Sequence, residues 1–403
     1  MRARVIAVLA AGLVAGCGGS GVPAAVHTAT SPSTPAGSGQ APGGPRNGAP
    51  CKPSAGVAPG TFFGYEGSNP LRAVQFVSPE RGWVAGRHVL LATTDGGASW
   101  TVQRRGELDL VSVDFISADT GWAVGLDSLL STSNGGRTWT ALPEPCGVIR
   151  SVHFLSPRDG YAIAGGIDPV SDGVLAPASG GAVVRTTDGG RSWQPVAAPA
   201  DPQTVCFSGG NSGWLGAAGK LYFSADGGQS WRLQAAGPHG SGAPAAPGVM
   251  FVQCASGSVW ALDVGPGAAS SQQPHIGYHA SPAGAVPLFA EQYFPHPGVR
   301  VRAEAPSAYA GPVSAISSSA AAFIDWCDVC GYGTAPWVLA ADDGARLDRA
   351  GTVGGLNQAL GASFLSPSLG WVVGTWRSGA QISSRIVSTA DGGRSWRVQY
   401  PAG

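Results

Sequence analysis

The sequence predicts an all-β chain of repeated four-stranded antiparallel meanders, and three observations carry that expectation. An eight-residue box, Thr93-Thr94-Asp95-Gly96-Gly97-Ala98-Ser99-Trp100, returns as Thr132–Trp139, Thr186–Trp193, Ser224–Trp231 and Thr389–Trp396. Each copy follows a frame of short β-type runs separated by turn residues, without a helical period. The composition joins 63 Gly and 32 Pro to 13 Trp, 12 Phe and 8 Tyr over 403 residues, a pairing that suits punctuated repeats rather than a disordered chain.

The elements follow in chain order. Arg2 and Arg4 precede the apolar run Val5 to Val14, which is too short to span a bilayer and has the length of a signal-peptide core. Val14-Ala15-Gly16-Cys17, followed by Gly18, Gly19 and Ser20, resembles a bacterial lipobox. The resemblance implies that residues 1–17 are a lipoprotein signal and that Cys17 becomes the lipidated N-terminus. It also implies that the mature chain is held at the cell membrane, on the extracytoplasmic side. Residues 18–60 are mostly Gly, Pro, Ala, Ser and Thr without apolar periodicity; they bury too little surface to offset ordering entropy and read as a disordered linker. Residues 61–403 hold the repeats.

One repeat shows the frame. The Val113-Asp114-Phe115 region is strand A, Gly121-Trp122-Ala123-Val124-Gly125 is strand B, Leu129-Leu130-Ser131 is strand C, and strand D starts at Trp139. The box is the C–D turn. Its acid bonds the backbone two residues on, its paired glycines take positive φ, and its Trp opens strand D as a packing knob. Asp95, Asp188, Asp226 and Asp391 share this place with Asn134, and an Asn among them favours a turn-forming role over acid–base or metal chemistry. The long interval from Trp231 to Trp396 accommodates two worn copies. One runs through Met250-Phe251-Val252 and Val259-Trp260-Ala261, the other through Ser314-Ala315-Ile316, Ala322-Phe323-Ile324 and Trp337-Val338-Leu339. Five clear and two worn copies make seven repeats, with six or eight still open.

The Ser/Thr-x-Asp-Gly-Gly-x-Ser/Thr-Trp box after Gly-Trp-x-x-Gly resembles the BNR or Asp-box repeat of sialidase-like β-propellers, in the flavour of propellers similar to the photosystem II assembly factor. The resemblance covers residues 70 to 400 or so, and implies a seven-bladed propeller, each blade one antiparallel meander. It does not by itself imply sialidase activity.

Little chemistry is legible. The Arg-Ile-Pro motif of the sialidases is absent, Glu is scarce, and no Tyr–Glu pair can be assigned. Charged residues make up 12% of the chain and balance to zero, which excludes a nucleic-acid footprint. No metal site or cofactor is expected. His275 and His279 lie four apart on a strand pattern and need not share a face. Six cysteines remain after Cys17, which allows fifteen pairings. Cys206 and Cys254 fall in the A strands of neighbouring repeats, where a bridge is plausible. Cys327 and Cys330 can close a local loop, leaving Cys51 and Cys146 to pin the linker's end. A thioredoxin-like role for Cys327 and Cys330 would need a strand–helix context that is missing.

A meander places its A–B and C–D turns on one face and its B–C and D–A connections on the other. Extra length gathers on the second face: Gly165 to Gly181, Asp263 to His275, Asp325 to Thr334 and Thr375 to Ser384 as B–C loops, and Ala235 to Gly248 and Glu291 to Gly311 between repeats. Long loops on a rigid scaffold are the usual place of recognition. Ten of the thirteen Trp close boxes or sit in strand B, and Trp337 lies on strand C. Trp326 and Trp376 remain, in loops beside Asp325, Asp328, Tyr332 and Arg377. They read either as interface anchors or as cover for loop backbone and a Cys327–Cys330 bridge. The expected function is a monomeric, lipid-anchored, non-catalytic propeller that binds an envelope protein or glycan, in an assembly or scaffold role. The alternative is a sialidase-like carbohydrate-active enzyme or lectin.

Overall fold

The computed structural model describes residues 71–125, 128–143, 149–165, 167–169, 175–177, 181–237, 248–265, 274–291, 300, 303–305, 309–326, 337–341, 348–379 and 381–402. These residues are all-β. Strands pair in chain order into sheets of four or more strands, antiparallel except where Phe289–Glu291 pairs in parallel with Ala303–Ala305, beside a small ribbon of Ile167–Pro169 with Leu175–Pro177. The first sheet has six strands and divides within Thr101–Phe115, which pairs with Gly82–Thr93 at its start and with Gly121–Gly125 from Leu110 onward. Seven successive units result among the described residues.

Each unit begins with an A strand: Leu71–Phe76, the Leu110–Phe115 end of the long strand, Ile149–Phe154, Pro202–Phe207, Val249–Ala255, Tyr309–Ala315 and Gln358–Phe364. Each A strand contacts the one before and the one after, and the last contacts the first, so the units close a ring as propeller blades. A two-residue turn joins Ala217 to Lys220 in blade 4, with Ala218 at φ 48 and Gly219 at φ 67, the left-handed pair of a tight hairpin.

The boxes are local hydrogen-bonded turns. In the first, Thr93 Oγ1 donates to Asp95 Oδ1 at 2.7 Å and accepts from the Gly97 N–H at 2.8 Å, while the Ser99 N–H donates to Asp95 Oδ1 at 2.9 Å. Gly96 and Gly97 stand at φ 71 and 89, where a side chain would be strained. Asn134 fills the same place, accepting the Thr138 N–H at 2.9 Å and donating to Thr138 Oγ1 at 2.8 Å. The hydroxyl and N–H of the following serine hold the four box aspartates down at about 2. A carboxyl depressed by folding contributes stability that is present above its ordinary value and lost as pH falls through its folded one. The melting temperature is therefore expected to fall as pH drops from about 4 to about 2. Replacing all four aspartates by Asn, as at position 134, should flatten that slope in calorimetry.

Two sets of side chains join neighbouring blades. The first is aromatic. The A-strand Phe of one blade stacks on the strand-B aromatic of the blade before it: Phe76 on Trp371 at 3.5 Å, Phe115 on Trp83 at 3.5 Å, Phe154 on Trp122 at 3.4 Å and Phe207 on Tyr161 at 3.9 Å. The same rings explain the glycine of Gly-Trp. Phe76 lies over Gly82, and Phe115 over Gly121, leaving no room for a Cβ.

The second set is a ring of clasps from the residue just before that aromatic position. Phe115 N–H donates to Gln75 Oε1 at 2.6 Å, Phe154 N–H to Asp114 Oδ2 at 2.6 Å, and His153 Nε2 lies 2.8 Å from the Phe207 carbonyl. Ala315 N–H donates to Gln253 Oε1 at 2.9 Å, Phe364 N–H to Ser314 Oγ at 2.8 Å, and Phe76 N–H to Ser363 Oγ at 2.9 Å. Between blades 4 and 5 the same two positions are Cys206 and Cys254, joined as a disulfide.

Candidate functional site

The ends of the ring differ because the turns differ. On one end each box is bonded to the A–B turn of its own blade: Gly96 N–H to Glu80 O at 3.0 Å, Gly135 to Asp119 at 2.8 Å, Gly189 to Arg158 at 2.8 Å, Gly227 to Asn211 at 2.9 Å and Gly392 to Ser368 at 3.0 Å. These are short, uniform and internally satisfied. The other end carries the B–C connections, which are tight in blade 4 and long in blades 3, 5 and 6, after Ala164, Val264 and Trp326. That end is the candidate binding face.

Blade 7 departs from expectation there. The stretch Thr375 to Ser384 is not a loop but the tip of a continuous hairpin, with Trp376 opposite Ser383 and Ser378 opposite Gln381. The turn is short, with Gly379 at φ 61, so the ladder runs through Trp376 and Arg377. Trp376 is half-buried, with the Arg385 guanidinium 4.7 Å from its ring centroid. Arg385 also donates to the Gly355 carbonyl at 3.2 Å, and the Arg377 N–H donates to Asn357 Oδ1 at 2.5 Å. A rigid strand thus presents this aromatic–arginine pair.

Asp325 also departs from expectation. It sits within strand Ala321–Trp326 at 0% exposure, beside His275 Nε2 of blade 5 at 3.6 Å. A partner on the surface cannot reach it; its register opposite Ala310 and Trp337 keeps it between two blades. Trp326 ends that strand, and its side chain lies outside the described residues, as do Cys327, Asp328, Cys330 and Tyr332. Cys17, Cys51 and Cys146 also lie outside them.

His275 and His279 do share a face, because residues four apart on a regular strand always do. Strand His275–Ser281 aims both toward blade 6, His275 at Asp325 and His279 stacked on Trp260 at 4.3 Å. The opposite face of the same sheet carries Asp263 and Tyr278. Burial pushes the Asp263 carboxyl up to about 7, against the pull of His275, and raises the Tyr278 hydroxyl, helped by the charge of Asp263. Asp263 packs where a Cβ on Gly237 would collide with it. No sequence motif pointed to Asp263, Tyr278 or the His275–Asp325 pair, since each partner comes from a distant strand.

Among the described residues no group of three or more His, Cys, Asp and Glu is arranged to hold a metal ion, and no helix is long and apolar enough to cross a membrane. The box aspartates are committed to their turns.

This ring of meanders with Asp-box turns is a BNR-type β-propeller. The family model of the photosynthesis system II assembly factor YCF48 matches residues 66–197. The protein U3-55K is similar at a TM-score of 0.54, with 9% identity over 82% of this chain and 97% of that one. An ancestral GH74 enzyme reaches 0.51, with 15% identity over 83% of this chain and 46% of the enzyme. YCF48 bound to D1 peptide has a TM-score of 0.48 and 17% identity, over 85% of this chain and 99% of that one. No curated protein matches the sequence. At these identities the likeness is one of fold.

Proposed function

We propose that this chain is a lipid-anchored, extracytoplasmic propeller without catalytic activity that holds a protein partner on its loop-rich face and serves the assembly of an envelope complex. The observation that carries the reading is the asymmetry of the ring's two ends. One end is closed by short bonded turns; the other gathers the long connections of blades 3, 5 and 6 beside the Trp376–Arg385 pair. Aromatics backed by arginine are the usual energetic anchors of protein interfaces. The match of residues 66–197 to an assembly-factor repeat favours a protein over a small substrate. The Cys206–Cys254 bond suits an oxidising compartment, and the lipobox ending in Cys17 supports the anchor.

Crosslinking and pulldown from native membranes tests the reading. Trp376→Ala and Trp326→Ala should each cut capture of the crosslinked partner about ten-fold or more while leaving the melting temperature within a few degrees. Unchanged capture by both variants would remove this face from the interface. Cys17→Ala should move the protein from the membrane to the soluble fraction. Turnover of a fluorogenic sialoside would overturn the non-catalytic reading, and selective binding on a glycan array would favour a lectin.

A further inference from the structure

The fasteners between blades are not uniform, and one interface, between blades 4 and 5, is held by a disulfide. Four consecutive interfaces, from blade 7 round to blade 4, carry the Phe-on-aromatic stack. The other three lack it, the last of them because Ala322 stands where blade 6 would offer Phe364 an aromatic ring. Cys254 and Ala315 stand at the position of the A-strand Phe in blades 5 and 6, and the glycine beneath that ring is lost with it, replaced by Val259 and Ala321 in register. Trp214, left without a ring from blade 5, tilts onto Phe223 of its own blade at 5.1 Å and donates to Gln234 of its own blade at 3.1 Å. What binds blade 5 instead is a disulfide on one side, Cys206–Cys254, and on the other the buried His275–Asp325 pair with Trp260 set edge-on to Phe323 at 6.2 Å.

We propose that blade 5 is a conditional blade, whose attachment to blade 4 is switched by reduction of Cys206–Cys254. Cys206 is buried at 3% exposure, whereas Cys254 is partly exposed. A dithiol reductant attacks Cys254 Sγ through its thiolate, forming a mixed disulfide and expelling Cys206 as a thiolate that takes up a proton. The second thiol of the reductant then resolves the mixed disulfide, releasing the Cys254 thiolate for protonation. The reductant ends as a disulfide, having supplied two electrons and two protons. With the bond gone, the interface keeps the Thr204 hydroxyl on the Met250 carbonyl at 2.7 Å and the Gln203 contacts to Gly248 and Met250. It also keeps the Gly257 N–H on Ser208 Oγ at 2.6 Å and the Gln234 amide on the Ser281 carbonyl at 2.8 Å, around an apolar cluster that joins Trp214, Leu221 and Phe223 to Met250, Val252 and Val259. No ring stack replaces the lost link. Blade 5 carries the connection after Val264 on the binding face, so its release reshapes that face; the inference itself stands whether or not a partner binds there.

Hydrogen exchange on the full chain tests this with three samples: the oxidised protein, the same protein in dithiothreitol, and an untreated C206S/C254S variant. Reduction should speed exchange ten-fold or more in Val249–Ala255, Ser258–Val264, His275–Ser281 and Gly284–Glu291, while the strands of blades 1 to 3 keep their protection. The variant should match the reduced protein without reductant. Uniform loosening, no change on reduction, or a variant that keeps blade 5 protected would each overturn the switch. Asp325→Asn should widen the reduced-state opening into blade 6, and an Asp325→Asn protein with unaltered exchange in dithiothreitol would show that the opposite interface has no part in it.

Discussion

Trp371→Ala is expected to lower the unfolding free energy by about 4 kcal/mol, within the usual range for truncating a buried tryptophan. Trp371 is 2% exposed, stacks on Phe76 at 3.5 Å with an interplanar angle of 7°, and donates its indole N–H to the Gly96 carbonyl at 3.1 Å. The position matters more than the burial. Blade 7 is built from Gln358–Ala402 and blade 1 from strands that start at Leu71, so among the described residues no strand is shared across the seam where the ring closes. Among the described residues, side chains bridge it: Trp371, the Ser363 clasp to Phe76, Ser384 accepting from the Leu71 N–H at 3.3 Å, Gln399, which donates to the Gly96 carbonyl at 2.9 Å, and an apolar cluster of Leu71, Val74, Val373 and Ile386. Trp371→Phe keeps a ring on Phe76 but loses the indole bond, so it should cost about 1–2 kcal/mol. Urea unfolding of both variants separates stack from hydrogen bond. A loss below about 1 kcal/mol for the alanine variant would mean the seam rests on the clasps instead.

How much of this was legible depends on the range of the interactions. The box is readable because its bonds close within eight residues: Thr93, Asp95, Gly97 and Ser99 satisfy one another, and the Asn134 variant keeps the same geometry. The Gly-Trp dipeptide is equally visible, but its cause is not, since Gly82 answers to Phe76 on a paired strand and Trp83 to Phe115 in the next blade. The worn fifth and sixth copies were found from their apolar runs. Their lost Phe leaves no local trace, because only the register aligns Cys254 and Ala315 with Phe76 and Phe115.

The candidate face was read less well for a related reason. Loop and strand cannot be told apart in Thr375 to Ser384, where polar β-formers continue the ladder to a tight turn at Gly379. The sequence groups Asp325 with the loop that follows it, yet one residue of strand separates it from that loop and turns it into the interface between blades. The period-2 rule would have aligned His275 with His279, but nothing local could bring Asp325 to them from fifty or so residues away.

Loss of the Cys206–Cys254 bond is expected to cost about 4 kcal/mol, the chain-entropy value for a closed loop with a sequence separation of 48. Guanidinium unfolding of C206S/C254S against the oxidised protein measures it. The clasp geometry adds a sharper expectation. At five of the other six interfaces the same pair of positions holds a polar residue and a Phe, as in Ser363 with Phe76 or Asp114 with Phe154. Cys206→Ser with Cys254→Phe rewrites the fourth interface in that pattern, giving Trp214 a ring to stack on and the Phe N–H a hydroxyl to bond. The stack should return about 1 kcal/mol beyond the area it buries, and the clasp about another. Val259 opposes that ring where the other blades have glycine, so the rescue should need Val259→Gly as well. The triple variant is expected to recover about half of the lost stability and to be indifferent to dithiothreitol at this interface. If it is no more stable than C206S/C254S, the aromatic and covalent fasteners are not interchangeable, and the absence of Phe from blades 5 and 6 has another cause.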